Sequence, residues 1–136
     1  MLEAYSKNQT IPATTGILPF NSVTLKKGCT AELNGVSSIQ LNKCGVYEIS
    51  LDVTGLASTA GTVSIAMTKN GIAQPQATRS LDGQTTTDGF SLSITTLVQV
   101  TDTNSCKCCD APTMVQFVNT GVEFVGDVDV VVTKIC

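Results

Sequence analysis

The side chains best equipped for chemistry are six cysteines, Cys29, Cys44, Cys106, Cys108, Cys109 and Cys136. Cys106, Cys108 and Cys109 crowd into one polar stretch. Three thiolates there supply three of the four tetrahedral ligands of a structural zinc ion, with Cys29, Cys44 or Cys136 as the fourth. Against that, C-x-C-C is not the spacing of a standard zinc knuckle. An even number of cysteines equally suits disulfides, and all six are candidates among the fifteen pairings that sequence cannot choose between. A Cys29–Cys44 bridge would close a loop of about 15 residues and contribute on the order of 3 kcal/mol in the chain-entropy view.

The carboxylates are the second chemical resource. Asp127 and Asp129 stand two apart and so share one face of a strand. With Glu123 they offer oxygen ligands for calcium; otherwise they form a solvated strip that blunts an edge strand. Asp102 and Asp110 bracket the cysteine cluster in the same way. Any two of the 11 acids could be nominated as a glycosidase pair, so none is singled out without geometry. The chain contains no histidine. That removes the Ser–His and Cys–His nucleophile pairs and every His-ligated metal site. We therefore expect a non-enzyme that needs no cofactor, with structural zinc or calcium as the alternatives.

Charge narrows the partners. Lys and Arg number eight, are scattered, and leave a net charge of −3. Nucleic-acid binding needs a clustered basic face, and an anionic membrane asks for the same. Neither is expected. No stretch approaches the roughly 20 apolar residues that span a bilayer. Nor does the start resemble a basic region followed by an apolar run, so synthesis in a bacterial cytoplasm is expected. Only 14% of the 136 residues are charged, against a usual figure of about 25%. Thr, Ser, Asn and Gln carry the surface instead, which suits β-structure and suits burial against sister subunits.

The elements that position these groups read as strands. Tyr47, Ile49, Leu51 and Val53 alternate with Glu48, Ser50 and Asp52, a period of two with one face buried. Val63, Ile65 and Met67 repeat the pattern and run into Asn70-Gly71, a strong hairpin signal. Pro75 predicts that the next strand is short or at an edge. Phe90, Leu92 and Ile94 begin a further strand whose phase breaks over Thr95 to Val98, as a β-bulge would break it. Val115 to Val118 and Val128 to Ile135 complete the strong signals, with weaker strands near Thr10 to Pro12, Leu18 to Val23 and Ser38 to Leu41. The polar tract from Ala77 to Gly89 reads as an exposed loop or short hairpin, in which Arg79, Asp82 and Asp88 are the candidate ligand residues. The expectation is an all-β, antiparallel two-sheet jelly roll of about eight to ten strands over residues 10–136, preceded by a short arm over residues 1–9.

The segment from Ile39 to Val53 fits I-x-L-x-x-x-G-x-Y-x-I-x-x-x-V, and Ile65 to Gly71 continues it with a hydrophobic strand ending in Asn-Gly. This pattern resembles the tumour-necrosis-factor-like jelly rolls, shared by complement globular heads and the heads of bacterial collagen-like spore-surface proteins. Asn8 to Pro12, Leu25 to Cys29, Cys106 to Cys109 and Val131 to Cys136 are similar to small head-fibre, or capsid-decoration, proteins of tailed bacteriophages. The resemblance implies a homotrimer on the outer capsid surface of a virion, a capsid shell protein as partner, and possible contact with a host-surface glycan. Leu2 and Tyr5, in the arm, are the candidate attachment residues. The alternatives it implies are a trimeric receptor- or carbohydrate-binding head, for which Tyr5, Phe20 and Phe124 are the candidate exposed aromatics, and a spore-surface protein.

Overall fold

The computed structural model describes residues 1–14, 16–28, 30–100 and 113–135. Within them the chain forms ten strands: β1 (Leu2–Ile11), β2 (Ser22–Lys26), β3 (Ala31–Asn34), β4 (Ser38–Leu41), β5 (Gly45–Ala57), β6 (Gly61–Lys69), β7 (Ile72–Gln84), β8 (Phe90–Val100), β9 (Thr113–Asn119) and β10 (Phe124–Lys134). They build two five-stranded antiparallel sheets. Sheet A runs β2-β1-β10-β5-β8 and sheet B runs β3-β4-β9-β6-β7. No helix among the described residues is long and apolar enough to cross a membrane.

The core lies between the sheets, filled by the inward half of each alternating strand. Tyr47, Ile49, Leu51 and Val53 from β5 meet Val63, Ile65 and Met67 from β6, with Val115 and Phe117 from β9. Two aromatic pairs meet edge to face, Phe20 with Phe117 at 6.5 Å and Phe90 with Phe124 at 5.3 Å, the arrangement that the ring quadrupole favours. Phe20 and Phe124 are therefore core residues and not the exposed aromatics the sequence suggested.

Tyr47 brings a polar handle into this core. Its hydroxyl donates to the carbonyl of Lys43 at 2.7 Å and lies 3.3 Å from that of Thr30. It so fixes the turn that enters β5. Tyr47→Phe keeps the packing and removes the handle. A single hydrogen bond of this kind is worth about 1 kcal/mol net, so a fall in unfolding free energy of about that size is expected in urea titrations. No measurable change would show that the hydroxyl positions nothing.

Three sequence expectations change. Residues 1–9 are not an arm: Leu2–Ile11 is an internal strand, paired with β10 on one side and β2 on the other. The alternation there is hard to see because Ser6 is buried and a register shift falls between Ser6 and Gln9, where Asn8 takes a φ of 52°. The tract from Ala77 to Gly89 is not mainly a loop, since β7 extends to Gln84. β7 is the edge strand that Pro75 predicts, but it is 13 residues long. Pro75 sits where pairing with β6 slips, between Ala73 and Thr78, so the missing N–H costs the ladder nothing. Finally, β8 has no bulge. Its pairing with β5 is unbroken from Phe90 to Val100. The period of two holds because Thr96 turns inward and Leu97 turns outward.

Candidate functional site

Register builds a continuous polar surface on the outer face of sheet A. Tyr5 lies opposite Asp129, Asp129 opposite Asp52, and Asp52 opposite Ser93, in one row across four strands. The next row places Val131, Ser50 and Thr95 side by side, and Ser50 and Thr95 share a hydroxyl hydrogen bond of 3.0 Å. Ser93 donates to Asp52 at 2.7 Å. The β1–β10 end of this face is hollowed into a groove of about 280 Å³ lined by Glu3, Tyr5, Ser6, Lys7, Asp127 and Asp129.

The bulge in β1 shapes that groove. Its extra residue lets the backbone N–H of Asn8 reach the Asp127 carboxylate at 2.9 Å. Ser6, turned inward, accepts from the N–H of Asn21 at 2.8 Å and ties the following segment to β1. The strand carrying Asp127 and Asp129, β10, is the centre of sheet A. The sequence expectation of a strip that blunts an edge strand is thus corrected: these carboxylates stand in the middle of a sheet face. Among the described residues no group of three metal-ligating side chains is gathered to hold an ion, so the calcium alternative gains no cage here.

Asp129 is electrostatically strained. Burial against its neighbours raises its carboxyl above the usual aspartate range, and the charges of Glu3 and then Asp52 raise it further, with a hydrogen bond from the Val130 backbone opposing. Its Oδ1 is buried with no hydrogen-bond partner. Like charges placed opposite each other on neighbouring strands destabilise a sheet. By linkage, the folded chain holds this proton more tightly than the unfolded one. Its stability therefore falls as pH rises from the ordinary value of 3.8 through the raised one.

Glu32 has the opposite sign. Hydrogen bonds from Lys26 and Asn42, with the Lys26 charge, hold its carboxyl below the ordinary range. Its contribution is present above pH 4.5 and is lost as pH falls through the lowered value. The Lys26–Glu32 pair, 3.2 Å long, joins the β2 edge of sheet A to β3 of sheet B.

The other sequence candidates are dispersed. Leu2 is fully buried and cannot reach a shell while β1 is paired. Tyr5 is half-buried in the groove. Arg79 and Asp82 belong to β7, and Asp82 accepts from Thr62 at 3.0 Å. Asp88 lies in the turn before β8, where its N–H donates to Thr85 Oγ1 at 3.1 Å. Arg79 and Asp82 lie on this edge strand, and Asp88 lies beyond its end. Cys44 is buried. Cys29, Cys106, Cys108, Cys109 and Cys136, with Asp102 and Asp110, lie outside the described residues, and the zinc and disulfide expectations go with them.

Ten antiparallel strands in these two orders make the chain an all-β sandwich of the tumour-necrosis-factor-like type. Among solved structures it is similar to the PRD1 vertex protein P5, with 16% identity over 99% of this chain and 96% of that one, at a TM-score of 0.63. It is also similar to murine APRIL, at 10% identity over 98% of each chain and a TM-score of 0.62. Rabbit GITRL matches at 12% identity, over 100% of this chain and 95% of that one, at a TM-score of 0.58. No protein-family model and no curated protein matches the sequence. Identities this low speak for the fold and leave function to the site.

Proposed function

We propose that the protein is a non-enzymatic structural component of a virion, a homotrimeric head-fibre or decoration protein on the outer capsid surface of a tailed bacteriophage. The observation that carries this reading is the end-to-end likeness to a viral vertex protein, which covers nearly the whole of both chains. The surface supports it. Few charges, a sheet face on which Ser50 bonds Thr95 and Ser93 bonds Asp52, and exposed Leu97 and Leu56 on that same face suit burial against a sister subunit. A trimer presents three copies of every loop, which multiplies weak contacts with a host surface without strengthening any one of them.

Two measurements test the reading together. Native mass spectrometry should give three copies of the 14.2 kDa chain, about 43 kDa. Purified protein should also sediment with capsids that lack it, in a saturable way. A monomer at every concentration would overturn the trimer. A trimer that never sediments with capsids, while antibodies against it leave intact particles unlabelled, would overturn the virion role.

A further inference from the structure

Two of the chain's seven asparagines are followed by glycine, Asn34-Gly35 and Asn70-Gly71. At such a step an asparagine most readily loses its own amide. The backbone nitrogen of the glycine, having given its proton to water or base, attacks Cγ of the asparagine. A Cγ–N bond forms, the Cγ–Nδ2 bond breaks, and the amide nitrogen leaves as ammonia. Water then opens the cyclic imide at either carbonyl, giving aspartate or isoaspartate. Glycine permits the attack because no side chain shields its nitrogen. Both turns are also open, since a Cβ on Gly35 or Gly71 would meet nothing within 4 Å. Both asparagines are exposed, so sequence and exposure alone make the two sites equivalent.

The fold makes them unequal. Asn70 and Gly71 form the two-residue turn between Lys69 and Ile72, with φ of 52° and 83°. The Asn70 side chain is held there. Its Oδ1 accepts from the N–H of Met114 at 2.9 Å, while its own N–H donates to the Met114 carbonyl at 2.8 Å. The neighbouring Lys69 ammonium donates to the carbonyl of Gln99 at 2.7 Å. This hairpin tip is thus fastened to β9 of its own sheet and to β8 of the other. With Oδ1 fixed on β9, Cγ of Asn70 is not free to swing toward the Gly71 nitrogen.

Asn34 lacks these restraints. It is the last residue of β3, a four-residue strand at the edge of sheet B that pairs with β4 alone. The side-chain bonds that hold β3 gather on Glu32, two residues away. Among the described residues the Asn34 side chain makes no hydrogen bond. The turn beyond it is tied by the N–H of Phe20, which donates to the Val36 carbonyl. Short edge elements open locally at far lower cost than interior strands. We infer that Asn34 is a site of spontaneous deamidation in the folded protein, and that Asn70, held by Met114, is protected. Conversion places a new carboxylate at the tip of the β3–β4 hairpin, beside the exposed Val36. The isoaspartate product also lengthens the main chain by one methylene, so residue 34 cannot keep its register with Ser38. The subunit gains a negative charge with age at one turn and not at the other.

The test uses the unaltered protein, folded and in denaturing urea, incubated in mildly alkaline buffer made with heavy-oxygen water. Peptide mapping by mass spectrometry follows replacement of each amide by a labelled carboxyl, and the label sets aside conversion during digestion. In the folded protein Asn34 should convert at least about tenfold faster than Asn70, as expected when only one of two reactive sites opens locally. In urea the two should convert at similar rates, which assigns the difference to the fold. Asn34→Gln should remove the early phase and leave Asn70 as slow as before. If Asn70 converts as fast as Asn34 in the folded protein, the protection is overturned. If Asn34 stays intact while the chain in urea converts, the site is overturned. A ratio in urea as large as in the folded protein would trace the difference to sequence and overturn the role of Met114. The reaction needs no second subunit, so its outcome is independent of the trimer proposed above.

Discussion

Gly126→Ala should be among the most damaging single-methyl additions in the chain, costing at least about 3 kcal/mol of stability or preventing folding. Overpacking a core by a methylene typically costs about 1–3 kcal/mol when side chains can shift. Here they are not what must shift. A Cβ on Gly126 would stand 2.1 Å from the carbonyl oxygen of Thr54 and 2.7 Å from the Cα of Gly55. Both are backbone atoms of β5, the strand paired with β10 at the middle of sheet A. Gly55 is the cross-strand partner of Gly126, and a Cβ there would lie 2.6 Å from the Val125 carbonyl. The two glycines thus permit one close backbone approach, with Gln9 resuming the β1 pairing at the same level after the bulge. Relief requires parting β10 from β5, which opens the ladder that carries the Asp129–Asp52 row. Gly89→Ala is the control, because its Cβ would make an ordinary contact 3.5 Å from the Gly55 carbonyl. Thermal unfolding followed by circular dichroism, at fixed protein concentration, should separate the two variants by about 9 °C or more, taking about 3–5 °C per kcal/mol for a chain of this size. Equal melting temperatures would show that β5 and β10 do not approach as described.

Which parts of this fold can be read from sequence follows from how each strand is buried. β5 and β6 sit inside their sheets with one face on the core, so their alternation is explicit in Tyr47, Ile49, Leu51 and Val53 and in Val63, Ile65 and Met67. β7 hides because it is an edge strand whose only buried side chain is Ala77. A strand that buries almost nothing has no hydrophobic period to show. β1 hides for a different reason: its inward positions include Ser6, which exchanges hydrophobicity for a hydrogen bond to Asn21, and its phase shifts at Asn8. In β8 composition misleads about geometry. Thr96 is buried and Leu97 exposed, so reading by hydrophobicity inserts a bulge that the backbone lacks. The groove was half legible. Asp127 and Asp129 on one face follow from spacing alone, but Tyr5, Glu3 and Asp52 join them only through pairing between positions 124 residues apart (Tyr5 with Asp129) and 77 residues apart (Asp52 with Asp129) in sequence. Strand order is a property of the whole sheet, and no local pattern encodes that β10 is central.

Asn119→Ala should cost about 3 kcal/mol, a large loss for a polar residue in a domain of this kind. The side chain is fully buried at the end of β9. Its Nδ2 donates to the carbonyls of Pro12 and Val122, each at 2.9 Å, and lies 3.4 Å from that of Ile11. Its Oδ1 accepts from the N–H of Gly121 at 2.9 Å. One amide therefore holds the end of β1, the segment that follows it, and the turn into β10. The backbone N–H of the same residue donates to Gly16 at 2.7 Å and fixes the next stretch as well. Removing the amide leaves at least two carbonyls and one N–H without their partner. Each buried group so stranded costs about 1–3 kcal/mol, discounted where water can reach it. Gly121 has no room to compensate by moving, since even a Cβ there would meet the Thr62 carbonyl at 2.3 Å. Asn119→Asp is the sharper test. It keeps the volume and the acceptor but turns the donor into a carboxylate facing two carbonyls, so it should be at least as damaging as alanine at neutral pH. It should recover in part in acid, where the protonated carboxyl can donate again. Urea unfolding of both variants at neutral and acid pH measures this directly. A loss below about 1 kcal/mol for either at neutral pH would mean that the turn from β9 to β10 is held by its backbone bonds alone, and that Asn119 does not couple the N-terminal strand to the strand carrying the groove.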